Sequence, residues 1–406
     1  MYRYASKNVW RADLRRKDKL FDWFQKVILL LLFMMAMDFR NMFFYWAFAS
    51  FGMMALYQRN ALHLPRSVIP AVVLAVAFSL FSPSSKASFL AMIRPFTYPF
   101  CLLIGYELTS GSSLRKREKQ LTVILLVLAA GAFGHYLLNM LINWGVNSQR
   151  NTVDVWTHSV RSATGQATLA CLMVGVCCGL LFCKTKVVMK VISAMILVVI
   201  MVYNLQLAGR TLFLLIIIAT IIAFVVRFRL EKSGQTRIRM IMAGFVLVLV
   251  VILLIAFNVF GIVDRLSESN FYDRFYGDFS DQDIADDGRL AIKFEYLKNM
   301  GEALWGGGNI RRITGSYSHD IILDTYDEAG LFALISVMIL ICSDIYKCRR
   351  VYNSGIIDLN TKVLFVPVFS ILMIQFMLEP ILTGTQWLMA CYCVVSGSLG
   401  SLIGKS

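Results

Sequence analysis

Charge is scarce in this chain. Lys, Arg, Asp and Glu make up 16% of its 406 residues, against roughly 25% in an ordinary soluble domain. A hydrophobic share of 58% fills the gap, and the mean hydropathy of +0.66 is that of a membrane protein. The apolar content also excludes a disordered, nucleic-acid-coating polycation, despite the net charge of +15. Histidine is rarer still: His63, His135, His158 and His319 are scattered without the spacing of a metal site. Gly404-Lys405-Ser406 lacks the glycine five positions earlier that a phosphate loop needs, and no Gly-x-Ser-x-Gly elbow is present. The acidic run Asp278, Asp281, Asp283, Asp286, Asp287 fails as a calcium loop. Counted from Asp281, Ala285 and Ile292 hold the fifth and twelfth places, so the run reads as a solvated acidic loop. The nine cysteines lie in apolar runs or basic loops and imply no disulfide framework. The first 26 residues carry eight cations, too long and too charged a segment to lead a signal peptide. They read as a cytosolic amphipathic stretch that sets Trp10, Leu14, Phe21 and Phe24 against anionic lipid.

What the chain has in abundance is apolar runs. Measured against the roughly 20 residues that cross a bilayer, they predict helices at 22–38, 42–57, 67–82, 89–109, 120–143, 166–183, 187–207, 210–226, 240–260, 325–345, 362–379 and 385–403. The fold expected is therefore all-α: a single polytopic domain over 1–406 with about 12 transmembrane helices, 11 if a short one fails to span. Segments 1–26, 58–67, 110–120, 184–190, 227–239, 346–362 and 404–406 hold 27 of the 40 Lys and Arg residues. That bias places them, and both termini, in the cytosol. The net positive charge is then a topology signal and an attraction to membrane lipids rather than a nucleic-acid footprint. Two connections are long, 144–165 and 261–324, and both are assigned outside. Within the second, Leu290, Phe294, Leu297, Met300 and Leu304 recur at helical spacing, which predicts a helix at the membrane surface with Asp287 as its N-cap.

The residues with chemistry to offer gather late in that second segment. They are Gly288-Arg289-Leu290, the run Leu304-Trp305-Gly306-Gly307-Gly308-Asn309, Ser318-His319-Asp320, and Asp327-Glu328-Ala329-Gly330-Leu331. The block resembles the C-terminal signature of the O-antigen polymerase and ligase family, which runs from an arginine through a Gly-x-Gly turn to His-Asn, nine residues, then glycine. His319-Asp320 stands at that distance from Gly330, with Glu328 two residues before the glycine. Asp320 replaces the family's usual Asn, and Ala333 takes a position kept for small residues. Upstream, Ala208-Gly209-Arg210-Thr211 is similar to the family's Ser-Arg-Gly between the seventh and eighth spans, and Arg161 with Gly165 is a weaker third match. The resemblance implies a glycosyltransferase of the bacterial inner membrane whose active site faces outside. Such an enzyme polymerises undecaprenyl-pyrophosphate-linked repeat units into O-antigen of lipopolysaccharide or capsule. It also implies a lipid-linked glycan as donor and acceptor, a chain-length regulator and a flippase as protein partners, and neither metal nor cofactor. A ligase that moves the finished glycan to another acceptor fits the same motifs. A transporter or flippase fits the topology but leaves the outer block without a task.

The same residues make chemical sense on their own. Outside the cell there is no pool of nucleotide sugars, so a sugar donor must be activated on a lipid pyrophosphate, and the polyanionic leaving group has to be held. Arginine stays cationic and grips phosphate bidentately. Arg210, Arg289 and Arg161 are the expected ligands, although a lone Arg210 also reads as a snorkelling anchor at a helix end. His319 is the natural base for an acceptor hydroxyl, with a solvated bystander as the alternative. If Ser316 or Ser318 caps a helix there, Asp320, Asp324, Asp327 and Glu328 form a stripe beside His319. That stripe would hold its pKa at or above the free value of about 6.5 and make Glu328 and Asp320 further catalytic candidates. Gly306, Gly307, Gly308 and Gly330 permit a tight turn near substrate, or simply a hinge. Glu107, His135 and Glu379 read as a polar path or as structural hydrogen bonds, and Arg94 with Pro95 and Pro99 marks a broken helix.

Overall fold

The computed structural model describes residues 22–57, 64–111, 113–145, 151–258, 263–264, 272 and 288–403. The N-terminal amphipathic stretch, the acidic run and the Asp287 cap lie outside them. The fold is helical throughout, apart from one small hairpin. In chain order the helices are α1 (22–36), α2 (Phe43–Tyr57), α3 (Val68–Phe81), α4 (Phe89–Ile93), α5 (Thr97–Thr109), α6 (Leu114–Asn143), α7 (Ala163–Phe182), α8 (Val187–Gln206), α9 (Arg210–Leu230) and α10 (Gly234–Ala256). They continue as α11 (Gly288–Lys298), α12 (Asn309–Thr314), α13 (Ile321–Asn353), α14 (Leu359–Phe376) and α15 (Gln386–Ile403). Among the described residues, eight helices are long and apolar enough to cross a membrane: Phe89–Thr109, α6, α7, α8, α9, α13, α14 and α15. Phe43–Leu56 and Val68–Phe81 are apolar but shorter. The protein is a helical membrane protein.

Local chemistry sets the boundaries. Ser113 accepts from the Lys116 N–H to open α6, Ser162 from Gly165 to open α7, and Asp358 from Asn360 to open α14. Each satisfies a donor that the first helical turn leaves without an intrahelical partner. At Arg94–Phe96 the helix between Phe89 and Thr109 tightens into a 3-10 turn, because Pro95 has no N–H to give. α7 and α15 are the most enclosed of the long helices, and α8 the least.

Lipid tails are as apolar as leucine, so helices in a membrane associate by close packing rather than by hydrophobic exclusion. Glycine makes that approach possible. A Cβ on Gly105 of α5 would lie 1.9 Å from the Val394 carbonyl oxygen of α15, and one on Gly397 would lie 1.9 Å from that of Leu102. Gly175 and Gly179, one turn apart on α7, sit against the Cα atoms of Val368 and Leu364 on α14 at 2.8 and 2.9 Å by the same construction. Gly105→Ala and Gly397→Ala should each force the α5–α15 backbones apart at a cost of about 1–3 kcal/mol. Gly52→Ala, with nothing near the added methyl, should not. Thermal unfolding of the three variants in detergent checks the contrast.

Candidate functional site

The first half of the site is built on the C-terminal end of α6. His135, Asn139 and Asn143 are buried and spaced four residues apart, so they stack on one face. They clamp the hairpin formed by β1 (Asn151–Val153) and β2 (Val160–Ser162), in which Thr152 pairs with Arg161. Asn143 accepts from the Val153 N–H and donates to its carbonyl, both at 2.8 Å, and Asn139 accepts from Val155 N–H at 2.9 Å. Asp154, in the turn, takes the N–H groups of Trp156 and Thr157 on Oδ1. Its Oδ2 receives His135 Nε2 at 2.9 Å and Arg161 Nε at 3.0 Å. Burial opposes the Asp154 charge, but His135, Arg161 and the Trp156 N–H more than offset it and hold the carboxyl well below the usual range. His135 is therefore a structural partner of the arginine-bearing hairpin.

The second half hangs on a break in α13. Gly330 has φ 78 and ψ −168, a region essentially closed to residues with a Cβ. A Cβ there would fall 2.7 Å from the Leu304 carbonyl oxygen. Gly306, Gly307 and Gly308 all have positive φ and lie against the break. Gly307 and Gly308 donate to the Glu328 and Asp327 carbonyls at 3.2 and 2.8 Å, and Leu331 donates to Leu304 at 3.0 Å. The glycines thus make a backbone-to-backbone join rather than a free hinge.

The acidic residues of α13 do not form a stripe beside His319. Asp320 is the helix N-cap, accepting from Ile322 N–H, and Ser316 and Ser318 are not. Asp324 takes the Ser318 N–H and hydroxyl and the Asp320 N–H. Asp327 takes the N–H groups of Ile310 and Arg311 at the start of α12. Glu328 is buried, accepts from the Ser82 hydroxyl at 2.7 Å and pairs with Arg311, which also donates to Tyr317 Oη at 2.7 Å. Asp320, Asp324 and Asp327 are thus drawn to backbone N–H groups near helix starts, and Glu328 to the Ser82 hydroxyl and the Arg311 guanidinium. Asp320 and Glu328, expected among the catalytic residues, are therefore engaged in shaping the site.

His319 itself sits in the left-handed region at φ 57, next to the cap. Its neighbours are cations. Arg289 and Lys293 stand one turn apart on α11, and Lys293 Nζ reaches Asp320 Oδ2 at 3.2 Å and the Met377 carbonyl at 3.5 Å. Burial lowers the His319 pKa, and the charges of Arg289 and Lys293 lower it further. This is opposite to the expectation of a value at or above that of a free histidine. Glu379, in the turn after α14, is pushed up by burial, partly opposed by a Thr164 hydrogen bond and by the charges of Arg289 and Arg161. Asp38 is buried and pushed up to about 7, mainly by desolvation and against the pull of the Phe43 N–H and of Arg161 and Arg94. His319 Nδ1 and Glu379 Oε1 are among the buried polar atoms that have no hydrogen-bond partner in the described residues.

The structure thus brings Arg161, Arg289, His319 and Asp320 into one region, adds Lys293 and Glu379 to it, and joins it to Glu328 and the four glycines through α13. Arg210 enters only by its place at the exposed start of α9, after a turn in which Ala208 has φ 50 and the Asn204 side chain donates to the Gly209 carbonyl. Sequence reasoning missed Arg311, Lys293 and Asp38. Only the first carried a signal, as one of two adjacent arginines beside the glycine run in an otherwise acidic segment. No protein-family model matches the chain, and no curated protein matches it either. Glu328→Gln should leave Arg311 without its charge partner and destabilise the loop by about 1–3 kcal/mol. Gly330→Ala should do so by at least as much, since it adds strain and a clash. Thermal unfolding, with limited proteolysis between 299 and 320, checks both.

Proposed function

We propose that this protein is a membrane glycosyltransferase that takes a glycan linked to a lipid pyrophosphate, such as undecaprenyl pyrophosphate, and joins it to the acceptor sugar of another glycan. The observation that carries this reading is the placing of Arg289 and Lys293 beside a half-buried His319 whose Nδ1 has no hydrogen-bond partner among the described residues, with Arg161 and Arg289 both acting on the nearby Glu379. Guanidinium groups in a partly desolvated site bind a pyrophosphate strongly and stabilise the charge that builds on it as it leaves. His319 accepts the proton of the acceptor hydroxyl while that oxygen attacks the anomeric carbon. The bond from that carbon to the phosphate oxygen breaks, and the lipid pyrophosphate departs against the arginines. Asp320 and Glu328 act as positioning residues, and Glu379 and Asp38, held toward their neutral forms by burial, leave the local field positive.

The Lys/Arg bias supports about twelve spans, cytosolic termini and a site that faces outside the bacterial inner membrane. A polymerase of repeat units is the form proposed. Purified protein incubated with a lipid-linked repeat unit in EDTA should give a ladder of products. A single transfer step to a different acceptor would indicate a ligase, and movement of the lipid without any new glycosidic bond would indicate a transporter and overturn the transferase reading.

With His319 as the base, the acid limb of the pH–rate profile should lie below about 6.5, because the folded-state pKa is depressed and the neutral form survives to lower pH. Arg289→Gln removes one of the depressing charges and should move that limb upward. His319→Gln should cost roughly 10²–10⁴-fold in turnover and abolish the limb. An active His319→Gln enzyme with an unchanged limb would pass the role to another group. Arg289→Lys should fold normally yet lose much of the activity, since a lysine keeps the charge without the bidentate fork.

A further inference from the structure

The helix that starts beside His319 ends at a second cationic feature. α13 is 33 residues long and broken at Gly330, and its part after the break, 331–353, spans about 35 Å at 1.5 Å per residue, so the two lie at opposite ends of the longest described helix. Along its outer face Ile335, Ile339, Cys342, Tyr346, Arg349 and Asn353 follow at alternating steps of four and three residues, and all six are exposed. The stripe is apolar for about three turns and then becomes cationic. Arg349 and the adjacent Arg350 line a cavity of about 360 Å³ together with Tyr346, Asn353, Leu402 and Ile403. Among the described residues no acidic side chain lines it, and neither guanidinium has an ion-pair or hydrogen-bond partner there. The neighbouring cavity of about 710 Å³ differs, because Arg115 and Lys119 are balanced there by Glu118 and Asp358.

We propose that the Arg349–Arg350 cavity binds the phosphodiester headgroup of an anionic lipid, whose acyl chain lies along Tyr346, Cys342, Ile339 and Ile335. Two guanidinium groups with no counter-charge among the described residues suit a phosphodiester, and the Asn353 side-chain amide adds a neutral donor. The apolar stripe decides for a lipid over a free phosphate. A soluble anion uses only the arginines, whereas a lipid uses the arginines and the stripe that leads into them. Basic pockets at the ends of membrane helices bind lipid headgroups by this combination. The site is independent of the transferase reading and of the region around His319.

The test uses the purified full chain in a neutral detergent and native mass spectrometry with phosphatidylglycerol, phosphatidylcholine and inorganic phosphate. Wild type should retain phosphatidylglycerol at least tenfold better than phosphatidylcholine. The double variant Arg349→Gln/Arg350→Gln should lose that preference, and Arg115→Gln, in the charge-balanced cavity, should keep it. Ile339→Glu, which places a carboxylate in the acyl path, should weaken retention with the arginines intact. Equal retention of the two lipids by wild type would overturn the proposal, a measurement that needs no variant to fold. Full phosphatidylglycerol retention by a folded double variant would also overturn it. Displacement of the lipid by millimolar inorganic phosphate would assign the cavity to a soluble phosphate instead.

Discussion

A helix that breaks near a membrane exposes donors and acceptors that the next turn would have satisfied, and lipid offers them nothing. The break at Gly330 frees the carbonyls of Asp327 and Glu328 and the N–H of Leu331, and the Leu304–Gly308 turn takes up all three. That exchange is possible only because both strands of backbone lack side chains where they meet. The rest of the site follows from it. The turn sets α12 over α13, so the Asp327 carboxylate can receive the first N–H groups of α12 and Glu328 can hold Arg311 and Ser82. One turn earlier, Asp324 and Asp320 fix the strand that carries His319.

Electrostatics then separates two kinds of basic residue. Some cations are consumed inside the protein: Arg161 by Asp154, Lys293 by Asp320, Arg311 by Glu328. These pairs are rigid, and their charge is partly spent on holding loops. Arg349 and Arg350 lie at the surface without a charge partner among the described residues, beside apolar side chains and the neutral Asn353 and Ser354. A chain with few charges uses most of those near the His319 site to build geometry, and reserves others for what lies outside it.

The helices were legible because apolar runs of membrane length have few other readings, and each expected segment that falls in the described residues carries a helix. The glycine run and Gly330 were legible as backbone requirements, though not as two halves of one contact. The carboxylates were misread for a definable reason. Spacing alone put Asp320, Asp324, Asp327 and Glu328 near His319, but backbone N–H groups near helix starts claim the three aspartates, and Ser82 and Arg311 claim Glu328. The Glu328 link to Ser82 crosses 246 positions and leaves no local trace. The four-residue spacing of His135, Asn139 and Asn143 was visible, yet nothing in it names a hairpin as the object to be clamped.

The α5–α15 contact has a consequence for how the chain is made. Ser398 and Gly105, hydrogen-bonded across the interface at 3.1 Å, are 293 positions apart. At roughly 5–20 residues per second of synthesis, α5 waits about 15–60 s for its partner. During that wait its polar group is already quiet, because the Thr109 hydroxyl donates to the Gly105 carbonyl of its own helix at 2.6 Å, and Ser398 likewise donates to Val394 at 2.9 Å. These two hydroxyls therefore have acceptors within their own helices before the helices meet. The α5–α15 contact thus rests on the close approach of the two backbones rather than on the rescue of either hydroxyl.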